Sequence, residues 1–435
     1  MKKTFLAITA LAAMLFAGCT SSDELTTLES IKTADNTPTP VQFGTYMGKT
    51  RAGITGDMTT DVLKTTGHDY DGFGVFAYHT AGSGADASYN NASSLPNFMY
   101  NERVYWDGTS AWTYSPIKYW PNEAAANTGV DTHTSNGATT TSGVDKVSFF
   151  AYAPYVSVTP STGAFGSSQA SGITALTSNT NSGDPKISYT VGTIGQGVDL
   201  CWGVVPTSTT YVTVLTADQT PTAGLPNLNL IKQEANQKVQ FLFKHALTKV
   251  KFTIQAAVNQ AAAGGTLDAA TKIFVNSISI TGSTAFPATG ALNLNNTTAN
   301  TPKWESTSGT AALANGTLNT AIKSGGAGVL ATSATAVFSD TNDWYYLIPG
   351  TSGSLTINCN YNVETTDTKL NGDKSTVVND ISKTLTGLTL TAGKAYTINI
   401  VLGMTSVDFN ATVDDWVADG TNVVNLPLNY VTPAP

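Results

Sequence analysis

Apolar residues in this chain recur at every second position, in short runs closed by Gly, Asn, Asp or Ser, and almost nowhere at helical spacing. That period marks a strand with one face buried, because successive side chains of a strand point to opposite sides of its sheet. Residues 72–78, 147–152, 239–243 and 396–402 read as strands, and the third is expected to continue past His245 through 250–254. Residues 344–348 run into Pro349-Gly350, and 355–357 follow beyond that turn. The best helical candidate, 258–269, is interrupted by Gly264-Gly265. Many short strands with turn signals predict an all-β chain of β-sandwiches. The Gly- and Thr-rich stretches 127–143 and 160–183 are expected to be surface loops. Composition agrees with a folded chain. Charged residues are 12%, about half the ~25% usual for soluble domains, but apolar residues are 41%, enough to build cores.

The N-terminus reads as an export signal. Met1-Lys2-Lys3 precedes an apolar segment, and Ala17-Gly18-Cys19 places small residues directly before a cysteine, as in a lipoprotein signal peptide. Phe16 stands where Leu is usual, three residues before Cys19. The predicted division is a signal peptide at 1–18, a tether and removable first strand at 19–51, and two strand-rich halves at 52–235 and 236–435. The break is placed in the turn-rich and charged stretch 225–238. At the start of the ordered chain, Val41, Phe43 and Met47 fall on one face of a strand with Thr45 between them. No stretch approaches the ~18 consecutive apolar residues of a membrane-spanning helix, so the expected anchor is the lipid on Cys19. Cys201 and Cys359 sit in apolar surroundings and read as buried thiols, with their pairing left open.

Catalytic signals are weak. His68, His79, His133 and His245 have no His or Cys at metal-ligand spacing, and neither G-x-S-x-G nor a Walker loop occurs. Gly326 to Ala331 fits G-x-G-x-x-A but follows no strand, so it reads as a loop, and Asp69-Tyr70-Asp71-Gly72 reads as a turn. No cofactor and no metal is expected, and the chain is not expected to be an enzyme. Lys and Arg total 22 against 30 Asp and Glu, a net charge of −8, which argues against a nucleic-acid partner. The aromatics Tyr105, Trp106, Trp112, Tyr114, Tyr119 and Trp120 suit either a sugar-stacking platform or core and edge anchors.

A series of segments resembles the fimbrillins, the Mfa-like pilins of Bacteroidota type V pili. The series opens with Val41-Gln42-Phe43, Thr50-Arg51-Ala52-Gly53 and Phe73-Gly74-Val75-Phe76-Ala77-Tyr78. It continues through Lys118-Tyr119-Trp120-Pro121, Phe149-Phe150-Ala151-Tyr152 and Asp199-Leu200-Cys201-Trp202. Phe243-Lys244-His245-Ala246-Leu247-Thr248, Leu347-Ile348-Pro349 and Ala411-Thr412-Val413-Asp414-Asp415-Trp416 complete it. The resemblance implies two transthyretin-like (Greek-key) β-sandwich domains in a surface lipoprotein pilin, lipidated at Cys19, trimmed after Arg51 to begin at Ala52, and joined to other pilin subunits by strand exchange. It also implies an outer-membrane lipid anchor before trimming, a cell-surface fimbrial location and a host or bacterial surface receptor.

The residues add support of their own. The chain has only two arginines, and Arg51 lies in a small, polar, Gly-containing hinge, whereas Arg103 enters a predicted strand. Loss of Val41, Phe43 and Met47 would open a groove, and Val424, Leu426, Leu428 and Tyr430, in a possible donor strand at 422–431, alternate as a replacement would. Pro427 cannot donate to a ladder, so the same segment alternatively completes its own subunit's sheet. Two rival functions stay open: a lipid-anchored surface glycan-binding adhesin, and a tip or base accessory pilin.

Overall fold

The computed structural model describes residues 39–47, 57–67, 71–80, 88–121, 132–135, 138–141, 146–165, 172–194, 197–206, 221–230, 238–257, 270–311, 313, 316–330, 333–340, 343–404, 407–416 and 424–426. Strands dominate them, with a four-residue helix at Thr60–Leu63 and a 3-10 turn at Thr320–Ile322. The helical candidate at 258–269 lies outside the described residues.

The first sheet runs in the order Phe43–Met47, Val239–His245, Cys201–Val204, Lys146–Ala153, Phe73–Thr80, Met99–Trp106, Trp112–Thr113, and Asn227–Leu230 also pairs with Lys146–Ala153. Its two ends nearly meet: Pro40 bridges Tyr119, and the Val41 amide donates to the Lys118 carbonyl at 2.9 Å. The sheet therefore curls into an almost closed barrel. Alternation explains its central strands. Phe73, Val75 and Ala77 join Phe149 and Ala151 in the core inside the curl. Phe76, Tyr78, Phe150 and Tyr152 point the other way and pack with Ile187, Tyr189 and Leu292. Both faces are buried, so these strands appear in the sequence as continuous apolar runs.

Ile187, Tyr189 and Leu292 belong to a second sheet, ordered Lys303–Ser308, Thr289–Asn293, Lys186–Thr190, Ile173–Leu176, Ala164–Phe165, Val158–Thr159. Two stretches expected to be loops contribute strands. Thr132–Ser135 and Ala138–Thr141 pair as a hairpin, and Ala164–Phe165 and Ile173–Leu176 fall inside 160–183. Their threonines look polar by composition, but β-branching favours extended backbone. Gly163 makes one close approach possible: at φ +68°, a Cβ there would lie 1.8 Å from the Leu176 carbonyl oxygen.

The last core lies between two further sheets. One holds Thr335–Ala336, Thr248–Ala256, Lys394–Leu402, Val407–Asp415 and Val424–Leu426 in order, with Tyr345–Leu347 also paired to Thr248–Ala256. The other is made of the long strands Thr271–Gly282, Gly350–Thr366 and Lys374–Leu390. Phe252, Ile254, Ile357, Tyr361, Ile398 and Ile400 fill the space between. The run expected as one strand across His245 is two strands. It breaks at Ala246-Leu247, where the chain leaves the first sheet for this sandwich.

Candidate functional site: the first strand and its seat

Phe43–Met47 sits at the seam of the curled sheet and pairs in parallel with Val239–His245, from Phe43 opposite Val239 to Met47 opposite Phe243. The Val239 amide donates to the Gln42 carbonyl at 2.8 Å. On the other side, residues just upstream meet the opposite end of the sheet: the Trp120 amide donates to the Thr39 carbonyl at 2.9 Å. The Tyr114 hydroxyl donates to the Val41 carbonyl at 2.9 Å, and burial pushes that phenol up to about 12, so it stays a donor. Residues 39–47 thus bridge two strand ends that otherwise face each other across a gap.

The alternation read from sequence holds in space, with Val41, Phe43 and Met47 all buried. Phe43 is the centrepiece, its ring 5.4 Å from Tyr114, 5.9 Å from Phe149, 6.1 Å from Phe241 and 6.5 Å from Phe73. Each such side chain stabilises the fold by roughly 1.5–3 kcal/mol. Thr45 shares the inward face, and its hydroxyl oxygen is buried without a hydrogen-bond partner.

Ten residues past Met47 the chain is held quite differently. Asp57 Oδ2 lies 2.6 Å from Lys249 Nζ, and its Oδ1 accepts from the Tyr346 hydroxyl at 3.0 Å. The Met58 amide donates to Asp199 Oδ2 at 2.8 Å, and Asp199 also pairs with His245 Nδ1 at 2.8 Å. Lys249 Nζ sits over the rings of Trp344 at 4.7 Å and Trp416 at 4.9 Å, and His245 stacks on Trp416 at 4.1 Å. Thr59 then caps the short helix by accepting from the Val62 amide at 3.1 Å. This network is buried where the first sheet hands over to the last sandwich.

Asp199, Cys201 and His245 cluster within it, a grouping that sequence spacing did not reveal because residue 245 is far from 199 in the chain. Nucleophilic chemistry would need the imidazole to use two different nitrogens, one toward the thiol and one toward the carboxylate. Here Nδ1 alone faces both, with Cys201 Sγ at 3.7 Å. Burial, reinforced by Asp199, pushes the Cys201 thiol up, which opposes both thiolate attack and metal ligation. The three side chains satisfy one another as a core hydrogen-bond cluster. Cys201 and Cys359 are free and buried.

Cys19, Arg51 and Ala52 lie outside the described residues. Arg103 is in Met99–Trp106, its Nε donating to the Asp71 carbonyl at 2.9 Å. Of the candidate donor, Val424 and Leu426 lie in the edge strand Val424–Leu426, which pairs antiparallel with Ala411–Val413 of the same chain. Leu428 and Tyr430 fall outside the described residues. The aromatic series divides: Tyr114 and Trp120 are buried in the first core, Trp112 packs on Phe73 at 5.2 Å, and Lys64 covers the Trp106 ring at 4.4 Å. Tyr119 is exposed. Gly326–Leu330 is a loop outside any strand.

The architecture defines a class: an all-β, sandwich-type protein whose first strand, with the residues just before it, bridges the two ends of one sheet. Comparison with known proteins sharpens this. Residues 229–416 match the fimbrillin-like family model. The chain is 27% identical over 440 residues to fimbrium subunit Fim1C of Phocaeicola vulgatus, covering 96% of this chain and 97% of that one. It also superposes on the crystal structure of a fimbrial protein from Bacteroides vulgatus with a TM-score of 0.55 and 24% identity, covering 87% of this chain and 99% of that one. Residues 229–416 thus resemble the fimbrillin-like family, and nearly the whole length of the chain is similar to a fimbrium subunit.

Proposed function

We propose that this chain is a structural subunit of a cell-surface fimbria, exported as a precursor lipidated on Cys19, trimmed after Arg51 and polymerised by strand exchange. The observation that carries this reading is the placement of residues 39–47. They complete a sheet and a core, yet they lie upstream of Arg51, so a cut there severs their covalent link to everything else in the fold. The second arginine, held in a paired strand, is a poor substrate beside it. Asp57 and Met58 fix the chain on the far side of the cut, so trimming frees only the upstream strand. Two tandem transthyretin-like domains are supported by a repeated feature. On either side of the break at Ala246-Leu247 one strand pairs in parallel with another far along the chain, Phe43–Met47 with Val239–His245 before it and Thr248–Ala256 with Lys394–Leu402 after it.

The replacement is a neighbour's C-terminal segment. In the resident direction and register, Pro427 would take the place of Gly44, which the ladder alternation makes the next donor after Gln42 accepts from Val239. A shift of two residues resolves this. Leu426, Leu428 and Tyr430 then take the places of Val41, Phe43 and Thr45, while Pro427 takes that of Gln42, whose carbonyl accepts from the Val239 amide. The edge strand Val424–Leu426 has only to leave Ala411–Val413 to reach a neighbour. Other pilin subunits are the partners, and adhesion through a surface receptor is the purpose of the filament. Deleting residues 422–435 should leave a folded subunit that no longer forms filaments in electron micrographs; filaments of normal length in that deletion would reject the C-terminal donor.

A further inference from the structure

The resident strand is well buried yet poorly optimised. It pairs in parallel, the slightly weaker ladder, in a sheet whose other pairings are antiparallel. Gly44 gives its middle no side chain and a larger entropy loss on ordering. Between Phe43 and Met47, on the face turned to Phe241 and Phe243, it buries the unpartnered hydroxyl of Thr45. A valine would fill the same volume without a polar atom to desolvate, so the hydroxyl weakens the seat where packing would otherwise be strongest.

From this we infer that Thr45 keeps the first strand exchangeable. The strand is held tightly enough to fold the precursor and loosely enough, once cut, to yield to a strand from a second copy that brings an apolar body to that position. The inference rests on the strand-exchange reading above. Both donor registers meet its requirement, placing Leu428 or Tyr430 where Thr45 stands. A seat filled by an optimal strand would outcompete its own replacement after the cut, and the unpaired hydroxyl removes that obstacle at a single position.

The test uses the full precursor, cut after Arg51 with an arginine-specific protease and mixed with a fixed excess of a synthetic peptide of residues 421–432. Loss of the resident fragment is followed by size exclusion and mass spectrometry. Thr45→Val should release its fragment about fivefold more slowly or worse, and the uncut variant should unfold at higher denaturant. Thr45→Ser, which keeps the hydroxyl, should not slow release. Release of Thr45→Val at the native rate, or equal slowing in both variants, would overturn the role of Thr45 and leave strand exchange standing. No release from any form, the native sequence included, would overturn exchange itself.

Discussion

At the residue scale, the contrast between Thr45 and Asp57 shows how two buried polar groups serve opposite ends. One is unpartnered and weakens its strand; the other is paired with Lys249 at 2.6 Å and fixes the chain after the predicted cut. Taking one member from a buried ion pair leaves the other charged and unpaired, so Lys249→Met alone should destabilise the precursor by about 3–5 kcal/mol in urea unfolding. Asp57→Leu combined with Lys249→Met should recover most of that loss, because no charge is then stranded. The thiols make a second residue-scale prediction. Burial pushes Cys359 up to about 12 and Cys201 up as well, so neither should react with a thiol reagent at pH 8 until the protein is unfolded. Fast labelling of the native chain would contradict the packing described. Sequence alone placed Cys201 in an apolar setting, but not its contact with Asp199 and His245, because that proximity comes from pairing Cys201 with His245 across two strands.

At the scale of elements, Phe43 ties its strand to four aromatic rings. Phe43→Ala should cost the precursor about 3–5 kcal/mol, and it should leave the stability of assembled, trimmed filaments unchanged because the residue is no longer present. Equal losses in both forms would place the strand inside the filament. In the second sheet, Glu305 joins Lys186 at 2.7 Å, Lys303 at 3.0 Å and Asn293 at 3.0 Å. Partial burial pushes its carboxyl up, but the hydrogen bonds from Lys186, Lys303 and Asn293 win and hold it at about 2. A carboxylate depressed in the folded state stabilises above its unfolded value and loses that contribution as pH falls toward the folded one. Glu305→Gln should therefore be less stable than the native chain at pH 7, and the gap should close between about pH 4.5 and 2 in thermal melts. The strongly alternating strands were legible in the sequence because burial imposed a period on them. The Thr-rich strands were not, because their side chains carry little apolar pattern, and the break at Ala246-Leu247 was hidden because both flanking strands are equally apolar.

At the scale of the whole molecule, the sheets cross the boundary expected near residue 235. Val239–His245 completes the first sheet, and Lys186–Thr190 pairs with Thr289–Asn293 in the second. Composition marked a linker at 225–238, but hydrogen bonding is non-local, and a turn-rich stretch need not separate one core from another. Protein extracted from fimbriae should begin at Ala52, and a start at Cys19 would show that trimming had not occurred.

The most direct measurement is a cryo-electron microscopy map of the assembled filament at a resolution that traces strands. The gap between Val239–His245 and residues 118–120 should hold residues 424–430 of the adjacent subunit, with the subunit's own 39–47 gone. Density for residues 39–47 of the same chain in that gap would rule out strand exchange at this seat.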